Sequence, residues 1–209
     1  MTPSQKVVGD IAAVSAESVT GESLRRLARP LIQLLAQGRP VPVEDIAQTI
    51  GMPVDEVEHG LGGLPDVEWD DAGRITGLGL TSRPTEHAME IAGRTLYAWC
   101  AFDTLLFAAL QERPVTIWSR DHATGQRVCI TTAVDRIEAV EPTSTVVSWV
   151  GPRRPEEFAA LRTSFCAHIL FFGTPAAAAG WLAEHPSGTL LSVADAYAAG
   201  RDLATSFFA

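Results

Sequence analysis

The chain has 209 residues, 46% of them hydrophobic, and 16 Lys and Arg against 25 Asp and Glu give it a formal net charge of −9. That is enough apolar material for one good-sized core or two smaller ones, which excludes a disordered protein. The acidic balance disfavours partners held through phosphate backbones, and three cysteines with no CxxC spacing fit neither a disulfide framework nor a structural zinc ribbon.

Residues 1–10 carry no apolar export signal, and no run reaches the roughly 18 apolar residues of a spanning helix. Neither export nor a membrane is expected, and reduced thiols point to a cytoplasmic protein. From Gly21 the spacing predicts a helix capped by Ser23, with Leu24, Leu27, Leu31, Leu34 and Leu35 on one stripe and Gly38 and Pro40 ending it. Residues 44–50 and 54–61 predict two short helices around the turn Gly51-Met-Pro53, closed by Gly62, Gly63 and Pro65. Segments 67–70 and 74–80 flank Asp71-Ala-Gly73, a short hairpin signal that adds a wing to this helix-turn-helix grammar. The second short helix would offer Asp55, Glu56 and Glu58 to a DNA groove, and residues 1–80 hold 6 Lys and Arg against 12 Asp and Glu. Like charges repel, so a winged helix kept as scaffold is favoured over one that binds nucleic acid.

A polar connector at 81–87 sets an expected boundary near residue 82, dividing the chain into 1–81 and 82–209. Beyond it, 88–91 predicts a strand, and the apolar run 96–110 predicts a central helix with Cys100 in its first turn. Segments 114–119 and 126–132 predict strands paired around the turn at 121–125, with 136–141 and 144–150 continuing the same sheet. Residues 155–163 predict a short helix, 165–172 a strand, and 175–185 and 193–207 closing helices. The fold class is α+β: an N-terminal winged-helix-like helical module followed by a mixed α/β domain with an antiparallel sheet.

Cys100 and Asp103 lie three residues apart in the first apolar run, and Cys166 lies in another, Ser164-Phe-Cys-Ala-His-Ile-Leu-Phe-Phe172. Amide donors and the helix dipole near Cys100 would favour a thiolate. Burial and a neighbouring thiolate would raise the pKa of Asp103, unless Thr104 or Arg94 satisfies its carboxyl. Tyr97, Trp99, Phe102, Phe107 and Phe165 are candidates for an apolar wall. His168, two residues after Cys166, is read as a hydrogen-bonded, partly buried histidine rather than a metal ligand, and Cys129 as a packed thiol.

The segments Arg94-Thr-Leu-Tyr-Ala-Trp-Cys-Ala-Phe-Asp-Thr-Leu-Leu-Phe107 and 164–172 resemble the two signature segments of the organomercurial (alkylmercury) lyases, a similarity that extends over most of the chain. The resemblance implies that the family's two catalytic cysteines fall on Cys100 and Cys166 and its catalytic aspartate on Asp103. It implies a catalytic domain at 82–209 and protonolysis of a carbon–mercury bond, with Cys100 and Cys166 binding mercury as substrate and product and Asp103 as a further candidate ligand. It implies no organic cofactor, dependence on exogenous thiol, an organomercury–thiol substrate, and a mercuric reductase as acceptor of mercury(II). Two auxiliary cysteines of some members are absent, one from Arg120-Asp-His122 and one at Ala167. The rival readings are a metal-responsive winged-helix transcriptional regulator and a noncatalytic protein that sequesters mercury or copper.

Overall fold

The computed structural model describes residues 2–15, 24–64, 66–151 and 160–206. Helix α1 (Pro3–Ser15) comes first, and the leucine stripe follows as a π-helical turn (Leu24–Ala28) continuous with α2 (Arg29–Leu35). Leu27, Leu31 and Leu35 of the stripe are buried; the expected cap Ser23 lies outside the described residues. Helices α3 (Val43–Ile50) and α4 (Val54–Gly62) follow, the first ended by Gly51 at φ 68°, a left-handed position that glycine occupies without penalty. The hairpin of β1 (Glu68–Trp69) and β2 (Ile75–Leu78) forms the wing, and paired backbone bonds between Val41 and Ile75 tie it to the helices.

The wing does not stand apart. Strand β2 pairs with β3 (Leu80–Thr81), and β3 pairs with β5 (Arg94–Ala98), which pairs with β4 (His87–Ile91). Adding β6 (Val115–Arg120), β7 (Arg127–Thr132) and β8 (Ile137–Glu141) gives one eight-stranded antiparallel sheet in the order β1-β2-β3-β5-β4-β6-β7-β8. The connector near residue 82 therefore joins strands of a single sheet.

Helix α5 (Ala101–Leu110) crosses this sheet, and eight of its ten residues are buried. Helix α8 (Val193–Ser206) packs on it so closely that a Cβ at Gly200 would lie 3.0 Å from Leu106 Cα, and α1 packs in turn on α8. A helix sealed on all sides must be apolar all round, which is what residues 101–110 supply.

Three expectations change. Residues 96–98 continue β5 rather than beginning the helix, because the backbone of Leu96–Ala98 pairs with β4, and a short apolar run does not by itself distinguish a buried strand from a helix. Strand β9 (Val146–Trp149) belongs to a second sheet, with β10 (Phe171–Phe172) and β11 (Thr189–Ser192), not to the first. The expected strand at 165–172 is strand only at its end. It is preceded by α6 (Leu161–Ser164) and a 3-10 turn at Cys166–His168. A 3-10 turn (Ala176–Ala178) and α7 (Ala179–Glu184) complete the fold.

Gly79, between β2 and β3, has φ 71°, and a Cβ there would lie 2.5 Å from Phe107 Cζ. Gly79→Ala should therefore lower the unfolding free energy by about 2–4 kcal/mol, combining left-handed backbone strain with overpacking. Urea unfolding checks this, and an unchanged midpoint would mean that Phe107 yields freely.

Candidate active site

Cys100 is the N-cap of α5. Its backbone is extended, at φ −146° and ψ 173°, and its Sγ accepts the N–H of Asp103 at 3.4 Å. A thiol thus takes the position that serine or aspartate commonly fills, aimed at the unsatisfied amides of the first turn. Asp103, one turn on, returns toward the same sulfur.

The second arm begins at Cys166. Its 3-10 turn is closed by His168 N–H to Phe165 O at 3.0 Å and Ile169 N–H to Cys166 O at 3.1 Å. The arms meet where Ala101, the first residue of α5, donates its N–H to Ile169 O at 3.1 Å, so one open amide of the helix is satisfied by the loop that carries the other cysteine. Ser148 fixes that loop from behind: its buried hydroxyl donates to His168 O at 2.9 Å and accepts from Leu170 N at 2.8 Å. The indole of Trp149 lies edge-on to both Phe102 (5.1 Å) and Phe165 (5.3 Å), the residues flanking the two arms. Sequence reasoning missed Ser148 and Trp149, whose roles exist only in the folded pairing of β9 with the Cys166 arm.

Cys166 Sγ donates to Asp103 Oδ2 at 3.7 Å, and the two sulfurs and a carboxylate oxygen all lie within 4.8 Å of one another. Both cysteines are buried, and Asp103 is partly open to the pocket. Burial raises the Cys100 thiol above its usual range. Cys166 is raised further by its contact with Cys100 and by burial. Each sulfur therefore keeps its proton at neutral pH, whereas the dipole alone predicts a thiolate at Cys100. Burial lifts Asp103 to about 6, against the pull of the two thiols that hydrogen-bond it. Neither expected partner reaches this carboxyl: Thr104 donates to Ala101 O at 2.7 Å, and Arg94 is exposed with its side chain against the Gly38 position.

The site opens on an apolar pocket of about 100 Å³. Trp99, Phe102, Phe107 and Phe165 line it as expected; Tyr97, on β5, does not. Part of the remaining wall comes from far in the sequence: Ile11 of α1, Ala28 and Ile32 of the helical module, and Leu203 of α8.

Residues 80–205 match the family model for alkylmercury lyase, and residues 12–79 match that for the helix-turn-helix domain of alkylmercury lyase. The chain belongs to the alkylmercury lyase family. It is 52% identical over 177 residues to an alkylmercury lyase of Streptomyces lividans, covering 85% of this chain and 81% of that one. It is 45% identical over 206 residues to one of Bacillus cereus, covering 99% and 93%. Its structure superposes on a crystal structure of the mercury-bound form of MerB2 with a TM-score of 0.80 at 25% identity, over 96% of this chain and 98% of that one.

The structure describes both places, Arg120-Asp-His122 and Ala167, that the resemblance marks as lacking an auxiliary cysteine. Asp121, in the loop before the Ala-Thr-Gly turn, is buried and accepts N–H bonds from Ala123 (2.8 Å), Thr124 (3.0 Å) and Gly173 (2.6 Å). Ala167 is exposed. His168 Nδ1 lies 3.0 Å from His185 Nε2, in keeping with a hydrogen-bonded, partly buried histidine. Cys129 sits half-buried on β7 opposite Trp118.

Because the folded state holds the Asp103 proton to about pH 6 and an unfolded aspartate releases it near 3.8, ionising Asp103 costs stability. The penalty is full above the folded value and absent below the unfolded one. Asp103→Asn should unfold later than the parent at pH 8 by roughly 1–3 kcal/mol, with the gap closing as pH falls through 6 toward 4. Urea titrations across that range check it, and a gap independent of pH would contradict it.

Proposed function

We propose that this chain cleaves the carbon–mercury bond of organomercury compounds by protonolysis at Cys100, Asp103 and Cys166. The observation that carries the reading is the convergence of two buried thiols and a carboxyl, within 4.8 Å, at the wall of an apolar pocket. Mercury(II) is soft and prefers thiolate sulfur, so one cysteine displaces the carrier thiol of an organomercury adduct and the second adds to the metal. The carrier leaves with one cysteine proton. As the second sulfur bonds mercury its thiol becomes acidic, and the Asp103 carboxylate, 3.7 Å from Cys166, takes that proton. Asp103 then delivers it to the carbon as the C–Hg bond breaks. Two protons enter with the two thiols. One leaves on the carrier, one on the hydrocarbon, and mercury(II) stays on both sulfurs.

The raised thiol values fit this order, since the protons stay on sulfur until metal drives them off. A carboxyl near pH 6 is ionised often enough to accept a proton at neutral pH and acidic enough to return it. The apolar wall excludes water and receives the organic group.

No organic cofactor enters this scheme. Exogenous thiol delivers the substrate and helps strip the product, and the thiols of a mercuric reductase are the natural acceptor of mercury(II). The chemistry needs reduced cysteines, which suits a cytoplasm; among the described residues no helix is long and apolar enough to cross a membrane. The helical module, in this reading, walls the pocket through Ala28 and Ile32 rather than reading DNA, since Asp55, Glu56 and Glu58 of α4 are exposed and acidic.

Incubation with phenylmercury and excess thiol should release benzene, measured by gas chromatography. Asp103→Asn should retain mercury(II) while hydrocarbon release falls roughly 10²–10⁴-fold, the usual worth of a positioned proton donor. Benzene released by Asp103→Asn at the parent rate would remove the shuttle, and none from the parent would remove the activity.

A further inference from the structure

Glu68 lies on the wing, outside the three reacting groups, yet it is a further point at which the two cysteine arms are fastened to each other. Its side chain is only 6% exposed. Oε1 accepts the indole N–H of Trp99 at 3.0 Å and the guanidinium N–H of Arg162 at 2.9 Å. Oε2 accepts the Thr81 hydroxyl at 2.6 Å, and Arg83 Nε stands 3.8 Å away. Trp99 immediately precedes Cys100. Arg162 is four residues before Cys166, beside the pocket residue Leu161. One carboxylate oxygen thus bridges the two segments that bring the sulfurs together.

Other contacts aim at the same junction. The Arg162 guanidinium lies over the Trp99 ring, 5.6 Å from its centroid, and the Arg162 backbone N–H donates to Asp66 Oδ2 at 2.9 Å, so the wing grips this arm twice. The Trp99 backbone N–H donates to Gly79 O at 3.0 Å, which ties the chain at the base of the indole to the sheet. Room for the carboxylate is made by Gly77, where a Cβ would lie 2.7 Å from Glu68 Oε2. These partners offset the desolvation cost of the buried carboxylate, and it holds each of them in a fixed direction.

We propose that Glu68 is a positioning residue for carbon–mercury cleavage, a clasp that sets the separation of Cys100 and Cys166 by holding Trp99 and Arg162 on one carboxylate. This rests on the lyase reading above. The wing of the helix-turn-helix module then serves the chemistry through the arms it holds. The first sulfur–mercury bond needs one cysteine alone, whereas the second sulfur and the proton transfer need both arms in register. Releasing the clasp therefore acts on turnover more than on substrate capture.

The test compares Glu68→Gln and Trp99→Phe with the parent. Glutamine removes the ion pair that holds the Cys166 arm, and phenylalanine removes the indole donor on the Cys100 arm while keeping a ring. Steady-state cleavage of phenylmercury should show kcat of Glu68→Gln reduced roughly 10–100-fold with KM changed by less than about threefold, and Trp99→Phe reduced less. Retention of mercury(II) against a competing dithiol is the second readout and needs no cleavage: the competitor needed to strip half the metal should fall about tenfold in Glu68→Gln. A kcat within twofold of the parent with undiminished retention, or a rise in KM alone, would overturn the proposal. If Glu68→Gln does not fold, Arg162→Gln, whose side chain is 47% exposed, releases the same arm and is read by the same criteria. If the parent itself cleaves nothing, the lyase reading fails, while metal retention still decides whether the clasp sets the sulfur spacing.

Discussion

The first turn of α5 requires something to satisfy its open amides, and the structure meets that requirement with the two cysteine arms themselves. Cys100 Sγ accepts one amide and Ile169 O accepts another. The site is assembled around these two bonds. They draw a sulfur from residue 100 and a sulfur from residue 166 to the same helix end, and Asp103, whose amide makes the first bond, places its carboxyl beside both. The helix can end in so dry a place only because the rest of it is apolar, packed under α8 and over the sheet.

Dryness sets the chemistry as well. In water a carboxyl near two thiols would be fully ionised at neutral pH and the thiols would titrate in their usual order. Burial raises all three groups, so both thiols are held protonated while Asp103, lifted to about 6, can exchange a proton near neutral pH. The same apolar wall that raises these values makes room for an organic group. In the proposed reaction one property of the fold serves both proton transfer and substrate accommodation, and the stability lost on ionising Asp103 accompanies that function.

How much of this the sequence reveals depends on whether a feature is local. The helices of the N-terminal module, the wing turn at Asp71-Ala-Gly73 and the β6–β7 hairpin rest on caps, turn residues and alternation within a few positions, and each is present. The raised pKa of Asp103 follows from burial, which the apolar run around it already implies. Residues 96–98 were misread because an apolar run is silent about its partners, and only pairing with β3 and β4 makes it strand. Cys166 was assigned to a strand because nothing near it announces that Ser148, eighteen residues earlier, binds the turn on both sides. Glu68 looked like one more acid in an acidic module. Its partners lie at 81, 99 and 162, and no local pattern links them. The resemblance to a family supplied the meeting of the two cysteines, which spacing alone does not contain.

The central claim is that both sulfurs hold one metal atom after cleavage. Mercury X-ray absorption on the protein after a single turnover, with carrier thiol removed, tests it most directly. The account predicts two protein sulfurs bonded to each mercury, falling to one in Cys166→Ser. A single protein sulfur in the parent, or a signal unchanged by Cys166→Ser, would contradict it.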